Sequence, residues 1–110
     1  MIDDTVMQAT ERLVDEIRKS NVYKDYIFQK EKLKKQPLLF EGVKEFRQRN
    51  FALQTSAQGD DLLEKLDAFE KEYEAFRDNP LVDDFLRAEL AFCRMMQEVD
   101  VWITAELDFE

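Results

Sequence analysis

LLEKLDAFEKEYEAF, residues 62–76, decides the fold of this 110-residue chain. Leu62, Leu66, Phe69, Tyr73 and Phe76 are spaced 4, 3, 4, 3, which puts them in one seam along a helix, as in a coiled coil. A half-buried strand would need apolar and polar residues in strict alternation. No stretch long enough to show it occurs anywhere in the sequence.

The punctuation on either side extends this reading over the whole chain. Asn79-Pro80 ends the helix and begins another, with Asn79 as the cap and Pro80 as the first helical residue. Upstream, Gly59 suits the left-handed turn that closes a helix, and Asp60 is placed to cap the next one. A third helix then runs from Pro37 to Ser56, with Leu39, Val43, Phe46, Asn50 and Leu53 on its core stripe. Pro37 breaks it from a second helix that starts at Ser20, carries Tyr23, Tyr26, Ile27 and Leu33 on one side, and stops near Gln36. Val6, Ala9, Leu13 and Ile17 define a first helix, with Asp3, Asp4 or Thr5 as its cap and Ser20-Asn21 as its end. The expectation is one all-α domain over residues 1–110, about five helices in a bundle with a long C-terminal helix.

That last helix is apolar over more than one face. Val82, Phe85, Leu86, Leu90, Cys93, Met96, Val99 and Ile103 are joined by Phe92, Met95, Trp102 and Leu107. Two readings stay open. The extra breadth is a second buried surface, most simply a dimer interface through Phe92, Met95, Met96 and Trp102, or the helix is central in its own bundle.

Composition removes many chemistries. With no histidine there is no Ser-His-Asp triad, no Cys-His pair and no imidazole ligand. Cys93 alone forbids an intramolecular disulfide and a Cys-only metal site within one chain. Gly42 and Gly59 are too far apart to form a phosphate-cradling loop. Acidic pairs such as Glu70 with Glu74 read as solvated helix faces, as do Asp67 with Lys71 and Asp83-Asp84 with Arg87. No catalytic, metal or cofactor-binding residue is expected, and no enzyme. Cys93 reads as a small hydrophobe, and Asn50 as a contact residue or as a buried amide fixing helix register. The chain contains 45% apolar residues, nine of them phenylalanine, so a real core is available. The acidic start Met1-Ile2-Asp3-Asp4, the lone thiol and the lack of a long apolar run lead to the expectation of a cytoplasmic protein.

The net charge of −9 is unevenly spread. Residues 1–17 carry −4, 18–35 carry +5, 36–59 carry +1 and 60–110 carry −11. Lys24, Lys30, Lys32, Lys34 and Lys35 on the second helix are candidates for contact with a partner or with RNA, Tyr23 and Tyr26 lying near enough to stack on bases. The plainer reading is that the lysines solvate that helix and complement acidic neighbours.

The run Ile17-x-x-Ser20-x-x-Tyr23-x-x-Tyr26, then Leu33, Pro37, Phe46, Gln54, Gly59, Asn79-Pro80-x-Val82 and Ala88-Glu89, resembles the YlbF/YmcA family of small helical bacterial proteins. The order and spacing carry the resemblance, which extends from the first helix through the last. It implies an all-helical, self-associating fold and a non-enzymatic regulatory role in competence, sporulation and biofilm formation, in which family members modulate RNase Y. It also implies cysteine-ligated iron–sulfur clusters, and Cys93 by itself cannot reproduce such a ligand set. The expectation is therefore a cofactor-free, homodimeric regulator that docks a partner protein. The alternative is an RNA-binding module using the lysine-rich helix.

Overall fold

The structure, a computed structural model, describes residues 1–56 and 59–108. In chain order the helices are α1 (Asp4–Lys19), α2 (Asn21–Lys34), α3 (Pro37–Ser56), α4 (Gly59–Asp78) and α5 (Pro80–Glu106). No strand occurs among the described residues. The all-α class, the five-helix order and the long final helix are as the sequence predicts.

The breaks are made by the expected residues. The Ser20 hydroxyl donates to the Ile17 carbonyl at 2.6 Å and accepts the Tyr23 N–H at 3.2 Å, so one side chain closes α1 and caps α2. The Asn79 Oδ1 accepts the Leu81 N–H at 3.0 Å, and Pro80 opens α5. Asp3 holds an extended cap conformation without a side-chain hydrogen bond. Gly59 sits at φ +65°, the left-handed geometry predicted for it, though as the first residue of α4. The Asp60 side chain, expected as a cap, lies outside the described residues. α2 ends at Lys34, short of Gln36, because the Lys35 and Gln36 N–H groups turn back to the Lys32 and Leu33 carbonyls. That is the tight three-residue closure common at helix ends.

The chain groups into two compact units. One comprises Met1–Gln29 with Arg87–Glu110, and the other Lys30–Leu86.

The Lys30–Leu86 unit holds the large buried side chains. Leu33, Val43, Phe69, Val82 and Phe85 are all buried there. Its centre is an α3–α4 hairpin whose contacts run in opposite directions. Gly42 lies against Phe76, Phe46 against Tyr73 and Phe69, and Arg49 against Glu72. Phe46 stacks on Phe69 with centroids 5.3 Å apart and meets Tyr73 edge-on at 5.1 Å. The guanidinium groups of Arg77 and Arg49 cover the Phe46 and Tyr73 rings, respectively, at 5.8 and 5.2 Å. The 62–76 seam thus packs on the α3 stripe. Asn50 is half-buried and accepts a hydrogen bond from Gln54 on its own helix at 3.3 Å, so its amide bonds locally instead of pinning a neighbour.

The other unit is built differently. Ala88 is the buried apolar residue among those described there, and α1 has no buried residue at all. Its fixed point is an aromatic clasp: Phe92 of α5 stacks on Tyr26 at 5.1 Å and meets Tyr23 edge-on at 5.3 Å. Met95 and Val99 continue the Phe92 face as half-buried residues.

Candidate interaction surface

The surface begins with the sequence of α1. Val6, Leu13 and Ile17 project from one side, flanked by Met7, Ala9 and Val14. Asp4 in the first turn and Arg18 and Lys19 in the last complement the helix dipole. Thr10 lies in the same stripe, and its hydroxyl donates to the Val6 carbonyl at 2.8 Å, so that its donor is satisfied within the helix. A helix of 16 residues is marginal in water by itself, and the apolar face of such a helix normally stabilises it by being covered. Here Ile2, Val6, Met7, Leu13 and Val14 remain exposed and only Ile17 is half-buried.

The end of α5, in the same unit, adds Val101, Trp102 and Ile103, and Leu107 follows just past the helix, all exposed, with Trp102 at 67%. Apolar side chains at consecutive positions point to several sides of a helix, and no single neighbour can cover them. Leu90 and Met96 are exposed further up the helix. Of the predicted interface residues, Met96 and Trp102 are therefore open, Met95 is half-buried, and Phe92 is engaged by Tyr23 and Tyr26 of its own chain. Cys93, read from the sequence as a small core hydrophobe, is exposed instead. It sits one residue past Phe92, about 100° around the helix from the packed face.

The lysines fall in both units. Lys24 is exposed in the first. In the second, Lys34 and Lys35 are exposed and Lys30 and Lys32 are half-buried. Lys34 pairs with Glu31 at 3.6 Å. The tyrosines expected near them as base-stacking platforms instead hold Phe92.

A clamp that the sequence does not announce closes one side of the hairpin. The Arg49 Nη1 and Nη2 donate to the two carboxylate oxygens of Glu72, each at 2.7 Å, and Nη1 also donates to the Tyr73 hydroxyl at 3.0 Å. The hydrogen bond from Arg49 holds the Glu72 carboxyl below its ordinary value, and the reciprocal bond raises the guanidinium further. The groove beside it, about 360 Å³ over Phe69, has charged walls already matched within the chain, Lys65 pairing with Asp61 at 3.7 Å. The clamp joins residues 23 apart, so no local pattern could have marked it.

Against known proteins, residues 6–108 match the family model described as control of competence regulator ComK, YlbF/YmcA. The chain belongs to the YlbF/YmcA family. It is also similar to a UPF0342 protein of Desulfitobacterium hafniense (strain Y51), 26% identical over 97 residues that cover 86% of this chain and 78% of that protein. No solved structure matches. The YlbF/YmcA model is described by regulation, which gives this chain a regulatory context. Among the described residues no helix is long and apolar enough to cross a membrane. The iron–sulfur clusters implied by the YlbF/YmcA resemblance do not fit the residues present: cluster ligation takes several thiolates, and this chain supplies one, on an exposed helix face.

Proposed function

We propose that this YlbF/YmcA protein is a non-enzymatic, cofactor-free regulatory module that self-associates and docks a partner protein. The observation that carries the reading is the uncovered amphipathic face of α1, accompanied in its unit by the exposed end of α5.

The resemblance to family members that act on RNase Y makes the RNA-processing machinery the first place to look for the partner. The reading is tested by sedimentation mass, with Val6→Asp/Leu13→Asp as the disrupting variant, and by binding of the purified protein to RNase Y from the same organism. A wild-type mass of one chain at micromolar concentration refutes the self-association. Failure of the two purified proteins to bind refutes RNase Y as the partner.

A second reading, RNA contact by α2, is favoured by Phe28, 60% exposed one helical turn from Lys24. It requires affinity that falls steeply with salt and drops when Lys24, Lys30, Lys32, Lys34 and Lys35 are neutralised. Absence of binding at low salt removes it.

A further inference from the structure

Resting on the partner-docking half of that reading, we propose that the exposed end of α5 is the docking site and that its occupant is a basic amphipathic helix of a partner protein, with a lysine or arginine seated over Trp102. The sequence there is uniform in sign. Residues 95–108 carry Glu98, Asp100, Glu106 and Asp108 and no lysine or arginine. All four acids are exposed, and among the described residues none of them forms an ion pair. The helix itself adds to the same sign. Its carbonyl end is the negative pole of the helix dipole, which basic residues in the last turn offset in other helices, Lys32 and Lys34 in α2 and Arg77 in α4. The last turn of α5 has none.

Apolar surface lies inside this charge. Residues three and four apart are neighbours on a helix, so Trp102, 67% exposed, stands between Glu98 and Glu106, while Ile103 lies beside Asp100 and one turn before Leu107. The Thr104 hydroxyl between them is satisfied within the helix, donating to the Asp100 and Val101 carbonyls at 3.0 and 3.1 Å. What remains for a partner is apolar contact and the binding of a cation. An indole face is the best aromatic receptor for a cation, and a carboxylate one turn away on each side strengthens the attraction. Apolar residues one turn apart on the partner's helix would meet Ile103 and Leu107. The sign also selects among occupants. Nucleic acid and anionic lipid are repelled, and a second α5 end would bring four more acids in either orientation, because Glu98, Asp100, Glu106 and Asp108 are disposed symmetrically about residue 103.

Trp102 is the chain's single tryptophan, so its fluorescence reports on this surface directly. The probe is a leucine and lysine peptide patterned as a helix with one apolar and one basic face; its analogues carry glutamate for lysine, or the same residues scrambled out of helical register. At low salt the patterned basic peptide should shift Trp102 emission to shorter wavelength and bind about tenfold or more tightly than either analogue. Glu98→Gln/Asp100→Asn/Glu106→Gln/Asp108→Asn should weaken that binding about tenfold and flatten its salt dependence. Ile103→Ser/Leu107→Ser should weaken it to a similar degree, with the sedimentation mass unchanged. Glu70→Gln/Glu74→Gln/Asp78→Asn/Asp84→Asn, equal in net charge but in the other unit, should stay within about twofold of wild type. Unmoved emission, equal binding of the glutamate or scrambled peptide, or equal weakening by both sets of neutralised acids overturns the proposal. A fall in sedimentation mass in Ile103→Ser/Leu107→Ser overturns it too, by giving the surface to a second copy. Partner docking itself is read separately, by complex formation with the purified full-length partner. A complex that forms there and survives both α5 variants keeps that reading and removes this site from it.

Discussion

Replacing Gly42 by alanine tests the packing of the α3–α4 hairpin at its tightest point. An alanine Cβ there would stand 2.7 Å from Cε1 and 3.0 Å from Cζ of Phe76. Comfortable carbon contact is about 3.5–4.0 Å, so the ring or the helix must retreat by roughly 1 Å. The ring is not free to do so, lying 6.4 Å from Phe46 and 5.9 Å, edge-on, from Tyr73. Overpacking of this kind costs about 1–3 kcal/mol, whereas Gly→Ala inside a helix gains about 1 kcal/mol in propensity. The net expectation is a loss of about 0–2 kcal/mol. In a Phe76→Leu background the obstructing ring atoms are gone, so the same alanine should stabilise by up to about 1 kcal/mol, giving a coupling of about 1–3 kcal/mol. Urea unfolding followed by circular dichroism at one fixed protein concentration reads this difference. A change of 1 kcal/mol moves the midpoint by roughly 0.3–1 M for slopes typical of small proteins. If Gly42→Ala raises the midpoint equally in both backgrounds, the close approach of α3 to Phe76 is refuted.

Three further expectations follow from the same geometry. Leu33→Ala, at a fully buried position, should cost about 2–5 kcal/mol in urea unfolding, and a cost comparable to a surface substitution would remove Leu33 from the core. Asn79→Ala loses the cap on the Leu81 N–H and should cost about 1 kcal/mol, with Asn79→Asp nearly neutral; equal losses in the two variants would argue against capping. Because Arg49 holds the Glu72 carboxyl below its ordinary value of 4.5, the stability that Glu72 adds is present above that pH and is lost as pH falls through the lowered value. Wild type should therefore exceed Glu72→Gln at neutral pH by a margin that shrinks below about pH 4.5, and a margin constant with pH would contradict the pairing.

What the sequence discloses is its punctuation and its faces. Ser20, Pro37, Gly59 and Asn79-Pro80 act through local backbone chemistry, which is why each break falls at or within two residues of its expected place. The 62–76 seam is equally plain, since apolar spacing reports that a face exists. It does not report what covers that face. The stripe of α1 reads like that of α4, yet α4 packs on α3 while α1 stays open. On α5 the apolar residues surround the helix, so nothing in the sequence separates Phe92, which is clasped, from Cys93, which is exposed. The Arg49–Glu72 clamp was out of reach for another reason: such partners are brought together by the tertiary structure alone.

Sedimentation equilibrium over micromolar concentrations decides whether a second copy covers α1. A wild-type mass of twice 13.2 kDa is expected, falling to a single chain in Val6→Asp/Leu13→Asp together with a loss of helical signal no larger than α1. A wild-type mass of 13.2 kDa across that range refutes self-association through this face.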